Sequence, residues 1–314
     1  MDLLPYNPIS QFYQSHFGEK VYKISVSVAD TCPNREGLRG MKTCNFCDQW
    51  GSAAYHENLE KPLKDQIDSV RSLLLEKKKA KKFLVYFQAY TTTFQKVRKL
   101  REEIELALTY EDVVGVVIGT RPDCISDALL ELWNETAEKV FVGVELGVQS
   151  FDEEELIWMR RGHTAQQSLK AIKKIAEKCP RVNLGIHLIL GLPNETLETV
   201  IQSAQICNEL PIHNVKIHNM HVLKGTPLEE EYLNGEYSPM ERPQFFEHVT
   251  AFLRHLRPDM VVHRLSAFAP RWDELVAPKW TSQKMRNYQE MLDYLKEKGY
   301  RQGDLVSNGD QALG

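Results

Sequence analysis

Cys32, Cys44 and Cys47 fall within sixteen residues and make up half of the six cysteines in the chain. The other three, Cys124, Cys179 and Cys207, lie far apart and share no short spacing. Thiols this close in sequence suggest a metal site. The segment between Cys32 and Cys44 carries Pro33, Gly37 and Gly40, so it can fold back and bring Cys32 to the Cys44/Cys47 pair. A structural zinc normally takes four protein ligands, whereas here three are local and the nearest histidine, His56, lies nine residues beyond Cys47. A 4Fe–4S cluster held by three cysteines leaves one iron open for a substrate or cofactor. A catalytic cluster needs that asymmetry and a structural one does not.

The elements that must position these thiols follow from hydrophobic periodicity. Six β-rich runs, at 22–28, 83–88, 113–120, 140–145, 182–190 and 215–223, alternate with helical patterns at 60–78, 94–110, 126–136, 152–161, 164–178 and 195–210. Regular strand–helix alternation predicts an α/β fold with parallel packing, a partial (β/α)6 TIM-like barrel carrying N- and C-terminal extensions. The expected division is an N-terminal extension over 1–21, the barrel over 22–225, a C-terminal extension over 226–300 and a frayed tail over 301–314. The C-terminal part is expected to hold a helix at 241–256, a possible strand at 259–266 and an amphipathic helix at 281–298.

In a parallel barrel one strand face packs on helices and the other points inward. Val140, Val142 and Val144 form the apolar face of the fourth strand, leaving Phe141, Gly143 and Glu145 inward, continued by Gly147 and Gln149. In the fifth, Val182, Leu184, Ile186, Leu188 and Leu190 face the helices, leaving Asn183, Gly185, His187, Ile189 and Gly191 inward. Tyr86 and Gln88 share a face with Leu84. Reactive groups of such barrels belong at the C-terminal strand ends, and Gln88, Arg121, Glu145, Gln149 and His187 are expected at or near them. His218 and His221 are expected on opposite faces of the sixth strand, a poor arrangement for a shared metal.

The chain has 314 residues, 42% hydrophobic and 26% charged, with a net charge of −4 and a pI near 6.2. That is an ordinary globular composition, without the strongly basic signature of many nucleic-acid-binding domains. A local basic patch remains compatible with it, and Lys77, Lys78, Lys79, Lys81 and Lys82, with Arg98, Lys99 and Arg101, are the candidates for phosphate contact. For the lysines the alternative is a solvated helix C-terminus favoured by the helix dipole. The opening Met1-Asp2-Leu3-Leu4-Pro5-Tyr6 has no basic segment followed by an apolar core, and no run of 18 apolar residues occurs. The expectation is a cytoplasmic protein that spans no membrane, with thiols kept for metal.

Cys44-Asn45-Phe46-Cys47 resembles the Cys-x-aromatic-Cys end of the radical S-adenosylmethionine (SAM) enzymes. Eleven residues separate Cys32 from Cys44 where the common spacing has three. This longer gap, together with Cys32-Pro33-Asn34-Arg35, resembles the branch that includes the Elongator catalytic subunit. Similarity is greater to its bacterial YtqA/YhcC type, which lacks the acetyltransferase domain. The resemblance implies a 4Fe–4S cluster on Cys32, Cys44 and Cys47, with SAM as the second cofactor. It implies that Gln88 meets the SAM amino group and that Gln149 and Ser150, in the segment opened by Glu145, lie near SAM. Arg161, in Arg161-Gly162-His163-Thr164, would pair with the SAM carboxylate. The turn Gly191-Leu192-Pro193 would support adenine, although His187 and Asn194 stand where the general pattern places Gly and Glu. Thr120-Arg121-Pro122-Asp123 resembles the same branch, and Arg264, Trp272 and Trp280 resemble its C-terminal block. Tyr90, His187 and Arg121 are the candidate catalytic residues. Cys124 is expected to be an inert buried thiol, the alternatives being radical quenching or an auxiliary ligand.

The implied activity is SAM cleavage and hydrogen abstraction from a tRNA wobble-uridine side chain, taking carboxymethylaminomethyl-uridine toward aminomethyl-uridine. A reductase or flavodoxin-type protein would supply the electron. Two alternatives stand beside it: a radical SAM enzyme acting on a small molecule, and a zinc-stabilised adaptor that binds RNA or protein.

Overall fold

The computed structural model describes residues 4–51, 53, 60–269 and 271–306. The elements run α1 (Ile9–Phe17), β1 (Val21–Val26), a 3-10 turn at Leu38–Gly40, α2 (Leu63–Lys78), β2 (Lys82–Phe87), α3 (Val97–Ala107), β3 (Val113–Thr120), α4 (Asp127–Ala137) and β4 (Phe141–Gln149). They continue through α5 (Glu153–Trp158), α6 (Ala165–Lys178), β5 (Asn183–Leu190), α7 (Leu197–Glu209), β6 (Asn214–Asn219), β7 (Val222–Leu223), α8 (Pro227–Leu233), α9 (Arg242–His255), β8 (Val261–Val262), β9 (Leu275–Ala277) and α10 (Lys284–Lys298).

β1 to β6 pair in chain order, all parallel, and β8 adds a seventh parallel strand beside β6. This curled half-barrel is the expected α/β fold, with one strand beyond the six expected units. β7 and β9 form a separate antiparallel pair. Strand faces divide as the alternation predicts: Val142, Val144, Leu184, Ile186, Leu188 and Leu190 join the main core under the helices. Caps fix where several helices begin. The Thr164 and Gln167 side chains form a reciprocal capping box on α6, and the Ser126 hydroxyl accepts from Leu129 N–H at α4.

The inner face is layered. At the N-terminal strand ends it is apolar: Leu84, Val117 and Phe141 pack against Phe12, Tyr13 and Phe17 of α1. α1 touches β1 on one side and β8 on the other, so it closes the base of the half-barrel across the open side. Above this plug the inward residues turn polar, and above them lies the cysteine loop.

Three boundaries differ from the sequence reading. β4 continues to Gln149, four residues past the expected end, and Gly147 and Gln149 carry on its inward alternation. Glu145 is therefore the fifth of nine strand residues and His187 the fifth of eight, one layer below the strand ends rather than at them. β6 stops at Asn219, so the alternation does not reach His221, and His218 and His221 line the same cavity. Third, α5 ends at Trp158, placing Arg161 in the loop before α6. Of the expected frayed tail over 301–314, residues 301–306 are seated on the fold, where Gln302 Nε2 donates to Arg257 O at 2.8 Å and Met260 O at 2.7 Å, whereas 307–314, like His56, lie outside the described residues.

Candidate active site

A cavity of about 450 Å³ opens at the C-terminal ends of β1 to β6. Cys32, Cys44 and Cys47 all line it, with Gln88, Tyr90, Arg121, Glu145, Gln149, Arg161 and His187. Ten of the twelve candidate site residues, the three thiols among them, thus share one cavity, and Ser150 and Gly191 do not line it.

The cysteine loop is held from below by the segment after α5. Asn34 donates through Nδ2 to Lys42 O at 2.6 Å and Arg160 O at 2.7 Å. Asn45 N–H donates to Met159 O at 3.3 Å, and its amide to Trp158 O at 3.0 Å. Arg121, buried behind the loop, donates to the Asn34 side-chain oxygen and forms a two-point ion pair with Asp123, Nε–Oδ1 2.9 Å and Nη2–Oδ2 2.8 Å. Its charge is therefore matched by Asp123, and its place is that of a brace for the loop. The sequence singles out Arg121 as catalytic; the geometry makes it a positioning residue.

Arg161 is the cation nearest the thiols. Its Nη1 lies 3.3 Å from Cys44 Sγ, and Nη2 donates to Gly147 O at 3.1 Å. Arg35 Nη2 lies 3.5 Å from Cys47 Sγ, and its guanidinium sits 5.2 Å from the Tyr90 ring centre. Tyr90 adopts a left-handed backbone, φ 55°, and donates to Gln49 O at 2.7 Å. Burial pushes the Cys47 thiol up to about 12, with Cys44, Asp48 and Cys32 adding to the shift. Among the described residues, no three His, Cys, Asp or Glu side chains converge closely enough to hold a single metal ion. Three thiols lining one cavity match a cluster that is held by three cysteines and leaves one iron open. The donor set fits that group better than a four-coordinate zinc.

Glu145 anchors the layer beneath. Lys23 Nζ reaches its Oε1 at 2.8 Å. Its Oε2 accepts from Tyr86 Oη at 2.9 Å and Lys216 Nζ at 2.9 Å, with His187 Nε2 at 2.7 Å. Burial would raise the Glu145 pKa, but Lys216 and Lys23 hold it well below the usual carboxylate range. His187 is committed to this carboxylate. Burial, and then the charge of Lys216, lower its pKa to about 4, so its ring is neutral at pH 7. The sequence reading missed Lys23 and Lys216, although each is a lysine flanked by apolar residues within a strand, Tyr22-Lys23-Ile24 and Val215-Lys216-Ile217. Of the two, Lys216 lines the cavity.

Ser150 lines a neighbouring cleft with Gln149, Glu155 and Glu195, and its hydroxyl meets the Glu155 carboxylate. Burial raises Glu155 to about 7, against the Ser150 hydrogen bond. Gly191 adopts φ +88° in the turn after β5, where its N–H donates to Glu195 at 3.1 Å and its carbonyl accepts from Tyr237 at 2.7 Å. Cys124 lines an outer groove under the cysteine loop with Pro33, Met41 and Asp123. Burial and then Asp123 push its thiol up to about 12, which keeps it protonated at pH 7. Lys77 to Lys82 lie where α2 returns to the start of β2, at the base of the barrel and away from the cavity mouth. Lys81 and Lys82 face Glu19 there, at 3.9 and 3.5 Å. Arg98, Lys99 and Arg101 are paired to Glu102, Glu103 and Glu135.

A half-barrel of parallel strands with three cysteines at its mouth defines a class, and the class is borne out by comparison. The chain belongs to the Radical SAM superfamily, whose model matches residues 26–207, followed by a match to the Radical_SAM C-terminal domain over 212–297. Family membership carries a 4Fe–4S cluster and SAM as cofactors. The uncharacterized protein YtqA of Bacillus subtilis is 32% identical over 298 residues, covering 95% of this chain and 92% of YtqA. A tRNA uridine(34) acetyltransferase of Methanocaldococcus jannaschii is 27% identical over 173 residues, 54% of this chain and 30% of that protein. Among solved structures, the archaeal Methanocaldococcus infernus Elp3 with an N-terminal deletion matches with a TM-score of 0.65 at 19% identity, covering 90% of this chain and 64% of that one. It supports the fold. No helix among the described residues is long and apolar enough to cross a membrane.

Proposed function

We propose that this protein is a radical SAM enzyme that modifies a tRNA wobble uridine, taking a carboxymethylaminomethyl side chain toward aminomethyl. The observation that carries the reaction class is the meeting of Cys32, Cys44 and Cys47 in one cavity with Arg161 3.3 Å from Cys44. Cys32, Cys44 and Cys47 would hold the cluster, and Arg161 would take the SAM carboxylate as a planar two-point donor. Gln88 and Gln149 line the same cavity and would hold the rest of SAM. Cluster and SAM, once bound and given an electron by a flavodoxin-type donor or reductase, would supply the chemistry of hydrogen abstraction from the substrate. The protein's own work is to hold the loop through Asn34, Asn45 and Arg121, and to seat the substrate in the cavity that the three thiols line. The tRNA part of the reading draws on the similarity to the tRNA uridine(34) acetyltransferase.

Anaerobically purified protein is expected to carry four irons and four sulfides and to release 5′-deoxyadenosine when reduced with SAM. Replacing any one of Cys32, Cys44 and Cys47 by Ala is expected to abolish that release. One zinc, no sulfide and no product would overturn the reaction class in favour of a zinc-stabilised adaptor. For the substrate, nucleosides from the tRNA of a deletion strain are expected to retain the carboxymethylaminomethyl mass. Unchanged tRNA nucleosides would move the assignment to a small molecule.

A further inference from the structure

The layer around Glu145 has a charge surplus. Lys23 and Lys216 both contact this one carboxylate. A third cation, Arg264, stands beside them after β8. Its Nε donates to Ile217 O at 3.2 Å and its Nη2 lies 2.6 Å from His218 Nδ1, neither of which is an anion. The histidines that complete the layer do not alter the sum, because burial keeps His187, His218 and His263 neutral at pH 7. Three positive groups thus surround one negative group. The surplus is felt at Lys216, where burial first, and then Arg264 and Lys23, lower the ammonium to about 8 despite its bond to Glu145. Burying net charge is unfavourable unless a counter-charge arrives.

The surplus is also open to a ligand. Lys216 and Arg264 line the cavity together with His187, His218 and Asn219. Lys216 has 12% of its side chain exposed, while Glu145 beneath has 3%. Glu145 lines the same cavity, but its two oxygens are already taken by Lys23, Lys216, Tyr86 and His187, so the unmatched charge at this floor is positive. This floor is distinct from the thiol rim, where Arg161 is the cation at Cys44.

We propose that Lys216 and Arg264 form an anion-binding floor that takes a carboxylate at the tip of the substrate's reacting side chain. The inference rests on the substrate-modifying role assigned above and names the chemistry the substrate must carry. A guanidinium and an ammonium side by side suit a carboxylate, which can accept from both at once. Depth selects the source. Lys216 is the third residue of β6, paired with His187 of β5, so the floor lies one layer below the strand ends. A backbone phosphate of an RNA, flanked on both sides by nucleosides, cannot descend that far into a cavity of about 450 Å³; a terminal carboxylate on a narrow side chain can. With its end fixed there, the carbons before it lie between floor and thiol rim.

The test uses the cluster-loaded, full-length protein with N-methylglycine and inorganic phosphate as probes, at constant ionic strength against chloride, reading the thermal midpoint. N-methylglycine is expected to raise the midpoint, and Lys216→Met or Arg264→Gln to raise the half-maximal concentration about tenfold. Lys216→Arg is expected to keep the response, which separates lost charge from a damaged fold. An absent response, or an equal one in wild type and both charge-removing variants, would overturn the proposal. A response to phosphate alone would do the same, as would a parallel loss of SAM affinity in the two variants, which would give the floor to SAM. A carboxylate response in a protein that leaves tRNA nucleosides unchanged would preserve the floor and remove the tRNA reading.

Discussion

At the residue scale, the cysteine loop depends on a glycine that contributes no functional group. A Cβ on Gly162 would stand 2.0 Å from Met41 Sδ, 2.7 Å from Arg121 Nη2 and 3.0 Å from Asn34 Oδ1. Those three atoms belong to the cysteine loop and its brace, so the absence of a side chain lets the loop seat on the Arg160–His163 segment. Gly162→Ala is expected to lower stability by about 1–3 kcal/mol through overpacking and to reduce iron retained after purification. Met41 is the flexible neighbour. Adding Met41→Ala should therefore recover part of the loss, giving a coupling energy of roughly 0.5 kcal/mol or more in a denaturant double-mutant cycle. Additive losses would show that the strain falls on Arg121 and Asn34 instead. The same scale explains why the sequence could not distinguish catalytic from bracing roles. Arg121 follows β3 and Arg161 lies in the loop before α6, and only the position of Asp123, two residues from one, and Cys44, beside the other, separates their roles.

At the scale of elements, α1 does work that its sequence does not advertise. Its Tyr13 ring meets Phe141 edge-on at 6.0 Å and Phe17 at 6.0 Å, and the Lys23 ammonium lies 5.7 Å from its centre. Tyr13 thus joins the apolar plug to the charged layer above it. Tyr13→Ala is expected to reduce unfolding free energy by roughly 3 kcal/mol in denaturant melts, with Tyr13→Phe retaining most of it. A near-neutral Tyr13→Ala would mean that α1 is not part of the cooperative fold. Strand and helix order was legible because period-2 and period-3.6 patterns are local and the barrel buries one face of each strand. Cys32, Cys44 and Cys47 were legible for a similar reason, as three ligands within one loop. The Glu145 layer was not, since Lys23, Glu145, His187, Lys216 and Arg264 come from five separate parts of the chain and meet only when the sheet curls. The end of β4 was set at Glu145, although Gly147 and Gln149 continue the inward alternation of Phe141, Gly143 and Glu145, and the strand runs on through both. N-terminal residues 1–21 were expected only as an extension; the packing of α1 between β1 and β8 is a tertiary fact.

For the whole molecule, the placement of charge decides how a large anionic partner would approach. A net charge of −4 gives no general attraction to nucleic acid, so binding has to come from a local surface. The lysines at 77–82 form the densest basic run in the sequence, yet they lie at the base of the barrel, on the side away from the cavity. Around the mouth the cations stand with aromatic rings instead. The Arg271 guanidinium is 4.0 Å from the Trp50 ring centre, and Lys284 Nζ is 4.4 Å from that of Phe268. Trp50 and Phe268 are 38% and 37% exposed, and neighbouring Trp272 is 69% exposed. Exposed rings beside cations offer stacking to unpaired bases and charge to the flanking phosphates. If tRNA is the partner, Lys284→Gln is expected to weaken binding and to reduce the slope of log affinity against log salt by about one. Lys77→Gln with Lys78→Gln is expected to leave both quantities unchanged. The reverse pattern, a slope that follows Lys77 and Lys78 and ignores Lys284, would place the RNA across the base of the barrel. An anticodon base could not then reach the thiol rim from the bound position, and the wobble-uridine reading would fail on geometry.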